Sequence, residues 1–286
     1  MAKITNMHNL PAAIVAAVQN DPYVGGGDIS TTKLIDSPQV RVLGSAHKDA
    51  IFVDVSERVW ALLGQAVHTI LERAGLREAG MVVEERLYAE VNGWQVSGQV
   101  DRMHLDLAKL SDYKVTTVFK KHGSDSWTRQ LNVLRWLAHK NGHQIDTLEV
   151  VGIFRDWRKT EAQRNPDYPQ AAIQTISVPV WSLEDTEEYI TERVYMHQAA
   201  SRGEKVPCTD EERWFSGNTY ALTKRGAKRA TRVSTNPLDF GDVDFEHYSI
   251  EVRAGEYKRC QHYCDVSAFC SQWASTKKKA YEEPEE

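Results

Sequence analysis

The sequence contains no long apolar run. No stretch approaches the roughly 20 apolar residues that cross a bilayer, and the N-terminus lacks a basic segment followed by an apolar stretch and a small-residue cleavage site. Basic charge is not in excess either, since 35 Lys and Arg against 40 Asp and Glu give a net charge of −5. These absences predict a cytoplasmic protein with no membrane partner. They also exclude binding of nucleic acid through bulk positive charge and leave only local basic patches for that role.

Cysteine is scarce, and internal repeats are absent. In a reducing compartment, four cysteines indicate a metal or cluster site rather than structural disulfides. Hydrophobic residues make up 41% of the chain, aromatic residues 9% and charged residues 26%, a composition that excludes collagen, coiled coil and wholesale disorder. A chain of 286 residues is also long enough to bury a core without disulfides.

Apolar periodicity predicts an alternation of helices and strands. A helix is predicted over about 57–75, and its apolar stripe is expected to bury against a sheet. Strand-like runs over 82–91 and 94–102 are joined by Asn92-Gly93, the dipeptide typical of a type I′ hairpin turn. The later elements, in chain order, are a strand over 105–118, a helix over 127–140, a strand over 148–154, an exposed loop over 158–170, a strand over 173–180 and a helix ending near Ala200. This order predicts an α/β or α+β domain rather than a bundle or a sandwich.

An acidic and lysine constellation falls on two neighbouring predicted strands. Asp112 and Lys114 are two residues apart, so both side chains project from one face of the sheet, and Asp101 lies at the end of the adjacent strand. Clustered carboxylates suit Mg²⁺ or Mn²⁺, and a nearby lysine can hold a water or a phosphate oxygen. The alternative is that Asp-x-Lys is simply a solvated strand face.

Gly64, His68 and Glu72 form one line along the first predicted helix. Because a mid-helix glycine costs about 1 kcal/mol relative to alanine, Gly64 predicts close approach by a neighbouring element, and His68 is then expected to reach the cleft. The alternative is an ordinary surface or core histidine. Glu84 and Glu85 open the strand before the hairpin, where a salt bridge and a cleft role fit equally well, and both are left outside the predicted metal set.

The order of these motifs resembles that of a known nuclease superfamily. The resemblance is to the PD-(D/E)XK superfamily, specifically its RecB-type exonuclease branch, and it covers about residues 28–275. The motifs that carry it are Gly64-x-x-x-His68, Gly98-x-x-Asp101, Asp112-x-Lys114 and the Gln130 that opens the second predicted helix. The resemblance implies a restriction-endonuclease-like core, in which helices flank a central mixed sheet.

The resemblance also assigns roles to the motif residues. It implies that Mg²⁺ or Mn²⁺ is held by His68, Asp101, Asp112 and the backbone carbonyl of Tyr113. Asp101 and Asp112 are then also catalytic, together with Lys114, which would position the attacking water, and Gln130, which would orient DNA or the lysine. One position departs from the branch: its Gln-x-x-x-Tyr motif has Leu134 in place of the tyrosine, and Trp127 or Trp136 is expected to supply stacking on DNA instead.

The cysteines form a second constellation. Cys260-x₃-Cys264-x₅-Cys270 and the more distant Cys208 supply four thiolates, the number that closes a tetrahedral zinc site or a 4Fe-4S cluster, and the spacing does not choose between them. A resemblance to nucleases of the AddB kind and to CRISPR-associated adaptation nucleases implies a structural 4Fe-4S cluster, with zinc as the alternative. In those families the upstream cysteine precedes the nuclease core, where this chain has serine. Cys208 is therefore expected to substitute for it, and His262 is the alternative fourth ligand.

The residue composition of the chain changes beyond Gly203. We predict an N-terminal segment plus nuclease core over 1–203, an iron-sulfur module packed on that core over 204–275, and a charged, disordered tail over 276–286. Between the cysteines, aromatic and basic side chains interleave, which suits either a path for a DNA strand or a solvated helix face. The predicted DNA contacts are Trp127, Lys224, Arg225, Lys228 and Arg229.

Together these features predict a metal-dependent deoxyribonuclease. The resemblance to phage and bacterial RecB-like enzymes favours an exonuclease that hydrolyses DNA from its ends in recombination, replication or repair, in the cytoplasm of a bacterial host. A helicase or a recombinase is the candidate protein partner, and the oligomeric state stays open. The alternatives are a structure-specific endonuclease of the same superfamily, a non-catalytic DNA-binding or scaffold subunit, and an interaction module stapled by zinc.

Overall fold

The computed structural model describes residues 3–20, 25–75 and 79–282. The chain divides into two compact units by its contacts. The first unit is Met1–Val42 with Lys48–Val206, and the second is Leu43–His47 with Pro207–Glu286. Within the described ranges, no helix is both long enough and apolar enough to cross a membrane.

Helices and strands alternate along the first unit and give way to short strands in the second. The helices are α1 (Ala12–Gln19), α2 (Thr31–Leu34), α3 (Pro38–Ala46), α4 (Val59–Gly75), α5 (Asp125–Lys140), α6 (Lys159–Arg164), α7 (Leu183–Ser201) and α8 (Ser271–Glu282). The strands are β1 (Lys3–Thr5), β2 (Ile29–Ser30), β3 (Phe52–Asp54), β4 (Met81–Val91), β5 (Trp94–His104), β6 (Lys109–Thr116), β7 (Thr147–Phe154), β8 (Ile173–Val178), β9 (Thr219–Lys224), β10 (Arg232–Ser234) and β11 (Tyr248–Arg253).

A six-stranded mixed sheet forms the centre of the first unit, with helices flanking it. Its order is β2-β5-β6-β7-β8, and β4 pairs with β5 along its other edge. The pairs β2 with β5 and β6 with β7 are parallel, whereas β4 with β5, β5 with β6 and β7 with β8 are antiparallel. The predicted mixed α/β class with a central mixed sheet is therefore confirmed.

The hairpin between β4 and β5 sets the register of the sheet. Asn92 has φ 50° and Gly93 has φ 75°, the pair of positive values that a type I′ turn requires. Val91 then pairs with Trp94, and the same register continues to Met81 opposite His104. The turn that the sequence predicts is present, and it fixes which residues of the two long strands face each other.

Helix α5 supplies the largest part of the core over this sheet. Its apolar face is buried, as in Leu131 and Leu137, whose side chains have no exposed area. Gly98 of β5 allows the helix to approach, because a Cβ at this position would lie 2.4 Å from Leu134 Cδ2 and 2.8 Å from Leu137 Cδ1. The glycine of the Gly98-x-x-Asp101 pattern is thus required by packing.

Helix α4 differs from expectation, because its apolar stripe does not bury against the sheet. Val59 is 38% exposed, Leu63 39% and Ile70 63%, and Gly75 is the buried residue of the helix. The side of α4 that faces β4, β5 and β6 instead carries the small and polar residues Ala61, Gly64, Gln65, His68, Thr69 and Glu72, which line a pocket. The prediction that the stripe is covered is wrong because α4 presents its polar side to the sheet.

Three segments differ from the sequence prediction in their extent. The third strand begins only at Lys109, because Leu105–Leu107 forms a 3₁₀ turn and Ala108 has φ 46°. The predicted loop over 158–170 contains α6. Residues 276–282 of the predicted disordered tail continue α8, and this stretch contains lysines and alanine but no proline. Residues 283–286 lie outside the described residues.

A buried histidine of α7 contacts the last residue of α2 and a residue of α3. The side chain of His197 is fully buried, its Nε2 lies 3.1 Å from the Leu34 carbonyl oxygen, and Arg41 Nε lies 3.0 Å from its Nδ1. Because Arg41 can only donate and a carbonyl can only accept, the neutral ring carries its proton on Nε2. Burial lowers the pKa of His197 to about 4.

Acid is therefore expected to destabilise the first unit through this residue. The folded pKa of about 4 lies below the ordinary 6.5, so the unfolded chain takes up the proton first, and the free energy of unfolding falls as pH drops from about 6.5 to about 4. Urea unfolding at pH 7, 5.5 and 4.5 measures this fall in the wild type and in His197→Gln. The variant should lose less stability across that window, and equal losses in the two proteins would contradict the assignment.

Candidate active site

The central sheet opens at β5. The start of this strand pairs with β2, at Ile29 opposite Val96, and its end pairs with β6, at Arg102 opposite Ser111. Between these two ladders, 98–101 has no strand partner on that edge, and the gap forms the floor of a pocket of about 710 Å³. Asp101 Oδ2 accepts a 2.7 Å hydrogen bond from the Tyr113 backbone N–H at the point where the β5–β6 ladder stops. A side chain thus replaces a strand-to-strand bond at the mouth of the fork.

Three metal-ligating side chains meet at this fork. His68 of α4, Glu84 of β4 and Asp101 of β5 each place one ligand atom within 4.8 Å of the others. His68 Nδ1 lies 3.5 Å from Asp101 Oδ1 and 3.6 Å from Glu84 Oε1. Its Nε2 lies 3.1 Å from the Tyr113 carbonyl oxygen. Because a carbonyl only accepts, Nε2 carries the proton, and Nδ1 is the nitrogen that faces the carboxylates.

Glu84 is the residue that the predicted metal set omits. The Asn92-Gly93 turn contains the information that could have predicted this position. A hairpin register that pairs Val91 with Trp94 also sets Glu84 opposite Asp101. Glu84 has φ 51°, a left-handed conformation that is uncommon outside glycine. Backbone strain of this kind persists only where the surrounding structure holds it, and functional sites are the usual place. The Gln99 side chain fixes the carboxylate by donating a 2.7 Å hydrogen bond to Glu84 Oε2.

Asp112 and Lys114 form a buried ion pair beside this cluster. Asp112 is 1% exposed, and Lys114 Nζ lies 2.7 Å from its Oδ2 and 3.0 Å from its Oδ1. Gln130 Nε2 also donates to Oδ1, at 3.2 Å. Gln130 lies in the second turn of α5 rather than at its start, and its amide binds the partner of the lysine rather than the lysine itself.

The electrostatics of the cluster are unfavourable without a further positive charge. Burial, and then the charge of Asp112, raise the pKa of Asp101 to about 7. The contact with Glu84 raises the pKa of His68, and the charge of Asp101 acts in the same direction against the effect of burial. Burial alone would lower the pKa of Lys114, but Asp112 and Asp101 outweigh it and raise that pKa. The cleft therefore attracts cations, and Lys114 stays protonated.

The donor set fits a hard divalent cation. Two carboxylates and an imidazole nitrogen converge from three elements, and sets of this kind, rich in carboxylate oxygen, suit Mg²⁺ or Mn²⁺. The Tyr113 carbonyl oxygen accepts from His68 Nε2, on the other side of the ring.

Gly64 does not serve the close approach that the sequence predicts. A Cβ at this position would meet nothing within 4 Å, and the residue lines the open side of the pocket. The helix therefore carries a glycine where its own packing does not require one. Because Gly64 has no side chain, it does not cover the helix backbone between His68 and the start of α4.

The tryptophans predicted to stack on DNA are buried. Trp127 is 8% exposed and carries Lys120 Nζ at 5.8 Å from its ring centroid. Trp136 is 2% exposed, and its indole N–H donates to Glu187. Neither ring offers a free face to a base in this conformation.

The predicted basic contacts lie in the second unit, on the connection between β9 and β10. This unit contains a three-stranded antiparallel sheet in the order β10-β9-β11. The segment is a hairpin connection and not a helix, so the alternative of a solvated helix face is wrong. The Arg225 guanidinium donates to the Phe245 carbonyl oxygen at 3.1 and 3.3 Å. The exposed basic residues of the segment are Lys224, Arg225, Lys228 and Arg229.

The four cysteines also lie in the second unit, and none of them forms a disulfide. Gln272, two residues after Cys270, holds the backbone of Cys208 from both sides: Cys208 N donates to Gln272 Oε1 at 3.0 Å, and Gln272 Nε2 donates to the Cys208 carbonyl at 2.9 Å. Burial raises the pKa of Cys264, and the neighbouring Cys260 and Cys270 add to this. The structure thus places the backbone of Cys208 beside α8, which begins directly after Cys270.

Comparison with known proteins gives distant structural likenesses. No family model matches the chain, and no curated protein matches it. The solved structure of SSO0001 is 17% identical, over 70% of this chain and 89% of that chain, with a TM-score of 0.48. A structure from Eubacterium rectale named "Putative exonuclease" is 15% identical, over 63% of this chain and 66% of that chain, with a TM-score of 0.33. Likenesses at this level carry no argument about activity.

Removal of one carboxylate from the fork is expected to weaken Mn²⁺ binding. Glu84→Gln and Asp101→Asn should each lower the affinity at least about tenfold, because each removes a ligand charge. Glu85→Gln is the matched control, since its carboxylate points to His143 Nε2 at 3.7 Å instead. Calorimetric titration of EDTA-treated protein measures the three variants beside the wild type, and full affinity in Glu84→Gln would remove Glu84 from the site.

Proposed function

We propose that the chain is a metal-dependent nuclease that hydrolyses DNA phosphodiester bonds and belongs to the RecB-type branch of the PD-(D/E)XK superfamily. One observation carries the proposal. A single open pocket brings the His68, Glu84 and Asp101 cluster beside the buried Asp112–Lys114 pair. This is the combination of anionic ligands and a fixed ammonium that in-line attack on a phosphodiester needs.

Each residue of the site has its own role in the proposed hydrolysis. A divalent cation bound at the fork would neutralise phosphate charge and make water a better nucleophile. Lys114 is held protonated by Asp112 and Asp101, so it acts as a hydrogen-bond donor and not as a base. Its ammonium is placed to steady a water or a phosphate oxygen where negative charge develops. Gln130 keeps Asp112 oriented and thereby positions the lysine.

The finer assignment follows the motifs. Their resemblance to RecB-like enzymes favours an exonuclease with Mg²⁺ or Mn²⁺ as cofactor, DNA as substrate, and a helicase or recombinase as the protein that delivers DNA ends. A structure-specific endonuclease of the same superfamily is the competing proposal, and it has the same site. Linear and covalently closed circular substrates distinguish the two.

Loss of the lysine is expected to abolish cleavage without loss of the fold. Lys114→Ala should lower Mn²⁺-dependent degradation of end-labelled linear DNA by at least about 100-fold, since the variant removes a charge that stabilises the transition state. Lys109→Ala is the matched control on the same strand, because its ammonium pairs with Glu149 at 3.2 Å, away from the pocket lining. Wild-type protein that leaves single- and double-stranded ends intact would overturn the nuclease proposal.

We also propose that Cys208, Cys260, Cys264 and Cys270 hold a structural 4Fe-4S cluster, with zinc as the alternative. The contacts of Gln272 with Cys208 support the choice of Cys208 as the fourth ligand. The mutual influence of the other three thiols supports their grouping. Thiolates are the ligands of both centres, and the preference for iron follows the family resemblance. The cluster's role would be to fix the C-terminal segment.

Iron content tests the cysteine proposal. Protein purified without oxygen should be brown and contain about four irons per chain. Cys208→Ser should lose most of this iron, whereas His262→Gln, which changes the alternative ligand, should retain it. Elemental analysis and visible absorption provide the measurement. A colourless protein with one zinc per chain would replace the cluster by a zinc site, and iron retained in Cys208→Ser but lost in His262→Gln would exchange the fourth ligand.

A further inference from the structure

We propose that one line of α4 guides an unpaired DNA strand out of the cation site and that a base of this strand stacks on Trp60. The proposal rests on the nuclease function proposed above. The line consists of His68, Gly64 and Trp60, which follow each other at intervals of four residues on one side of the helix. At a rise of about 1.5 Å per residue, Trp60 lies about 12 Å along the axis from His68.

Gly64 leaves space for a DNA strand at the middle of this line. Apart from its chain neighbours and the nearby backbone of α4, no atom of the described residues lies within 4 Å of the position that a Cβ would take, and the residue lines the pocket. A mid-helix glycine costs about 1 kcal/mol relative to alanine, and packing within the chain does not explain this cost. A strand that leaves the cluster at His68 can lie directly against the helix backbone here.

Trp60 provides an exposed ring at the end of the line. Its side chain is 56% exposed, and the Arg155 guanidinium lies 3.8 Å from the ring centroid. A cation at this distance holds the indole in place and adds positive charge beside it. A fixed aromatic ring next to a basic group is the arrangement by which proteins bind single strands, because every base offers a π face.

A second exposed aromatic ring follows β6. Arg155 N donates to the Thr116 carbonyl oxygen, so the segment that follows β6 runs beside Arg155. Phe119 comes three residues later, in the 3₁₀ turn Val118–Lys120, and is 89% exposed. We call Trp60 and Arg155 the stacking surface. Arg158 and Lys159, both exposed, follow Arg155 along the chain.

The chemistry of this surface selects unpaired bases. Bases inside a duplex are stacked on each other and cannot also stack on a protein ring, whereas a single strand or a frayed end can. The basic side chains match the phosphate backbone, which an apolar protein surface or a neutral lipid would not use. The occupant to which the structure points is therefore single-stranded DNA that continues from the site of cleavage.

Binding without cleavage tests this proposal. Fluorescence anisotropy in EDTA measures the affinity of the full chain for a labelled oligothymidylate, for an abasic strand of the same length and for a blunt duplex. Trp60→Ala should weaken oligothymidylate binding about 5- to 50-fold and leave the other two ligands within about twofold. Trp60→Phe, which keeps an aromatic ring, should recover most of the affinity.

Tyr195→Ala is the matched control. Tyr195 is 59% exposed on α7 and carries the Arg202 guanidinium at 6.0 Å from its ring, but it lies on a different helix from His68 and Gly64. This variant should bind all three ligands like the wild type. Equal oligothymidylate affinity in Trp60→Ala and wild type would overturn the proposal, and so would an equal loss for the abasic strand. Failure of the wild type to bind any oligonucleotide would overturn it as well.

A parallel cleavage assay in Mn²⁺ separates the two proposals. Cleavage by a wild type whose oligothymidylate affinity does not depend on Trp60 keeps the nuclease function and removes the stacking surface. Affinity that depends on Trp60, without cleavage, supports the stacking surface and removes the nuclease function.

Discussion

The hydrogen bond from the Tyr113 backbone N–H to Asp101 is the contact on which the site depends. At this point β5 and β6 stop pairing, and the carboxylate takes the place of a strand neighbour. A buried backbone N–H needs a partner, so the sheet can split only where a side chain supplies one. The same carboxylate then faces His68 and Glu84 across the gap. The Asp101 carboxylate therefore takes part both in the opening of the sheet and in the cluster with His68 and Glu84.

Charge is the second constraint. Glu84, Asp101 and Asp112 are drawn into one partly buried cleft, and the structure offsets them with Lys114 and His68. Burial, and then the charge of Asp112, raise the pKa of Asp101, so this carboxylate ionises only at a cost. A bound divalent cation would remove this repulsion, although it must replace any proton on His68 Nδ1. The arrangement destabilises the empty site and would favour the binding of a cation.

The sequence predicted the features that follow from local rules. The Asn92-Gly93 turn, the two long strands and the helix at 125–140 each have a periodic or turn-specific signature, and the structure contains them. Convergence of Asp101 on Asp112 followed from strand pairing. The same register sets Glu84 opposite Asp101, but a glutamate at a strand start suggests a surface salt bridge equally well.

Other features depend on tertiary context that periodicity does not contain. The apolar stripe of α4 indicates burial, yet the pocket takes the polar side of the helix and leaves Leu63 and Ile70 exposed. The tryptophans of α5 lie on its buried side, so their aromatic character served packing. The spacing of the C-terminal cysteines showed a group of three, but only the fold sets the backbone of Cys208 against Gln272, two residues after the last of them.

The central claim is that the fork between β5 and β6 is a cation site, and anomalous diffraction from crystals soaked in Mn²⁺ tests it most directly. The account predicts a peak between the Asp101 and Glu84 carboxylates, within bonding distance of His68 Nδ1 and beside a Lys114 that still contacts Asp112. A map without a peak at the fork, from crystals in which the pocket is open to solvent, would contradict it.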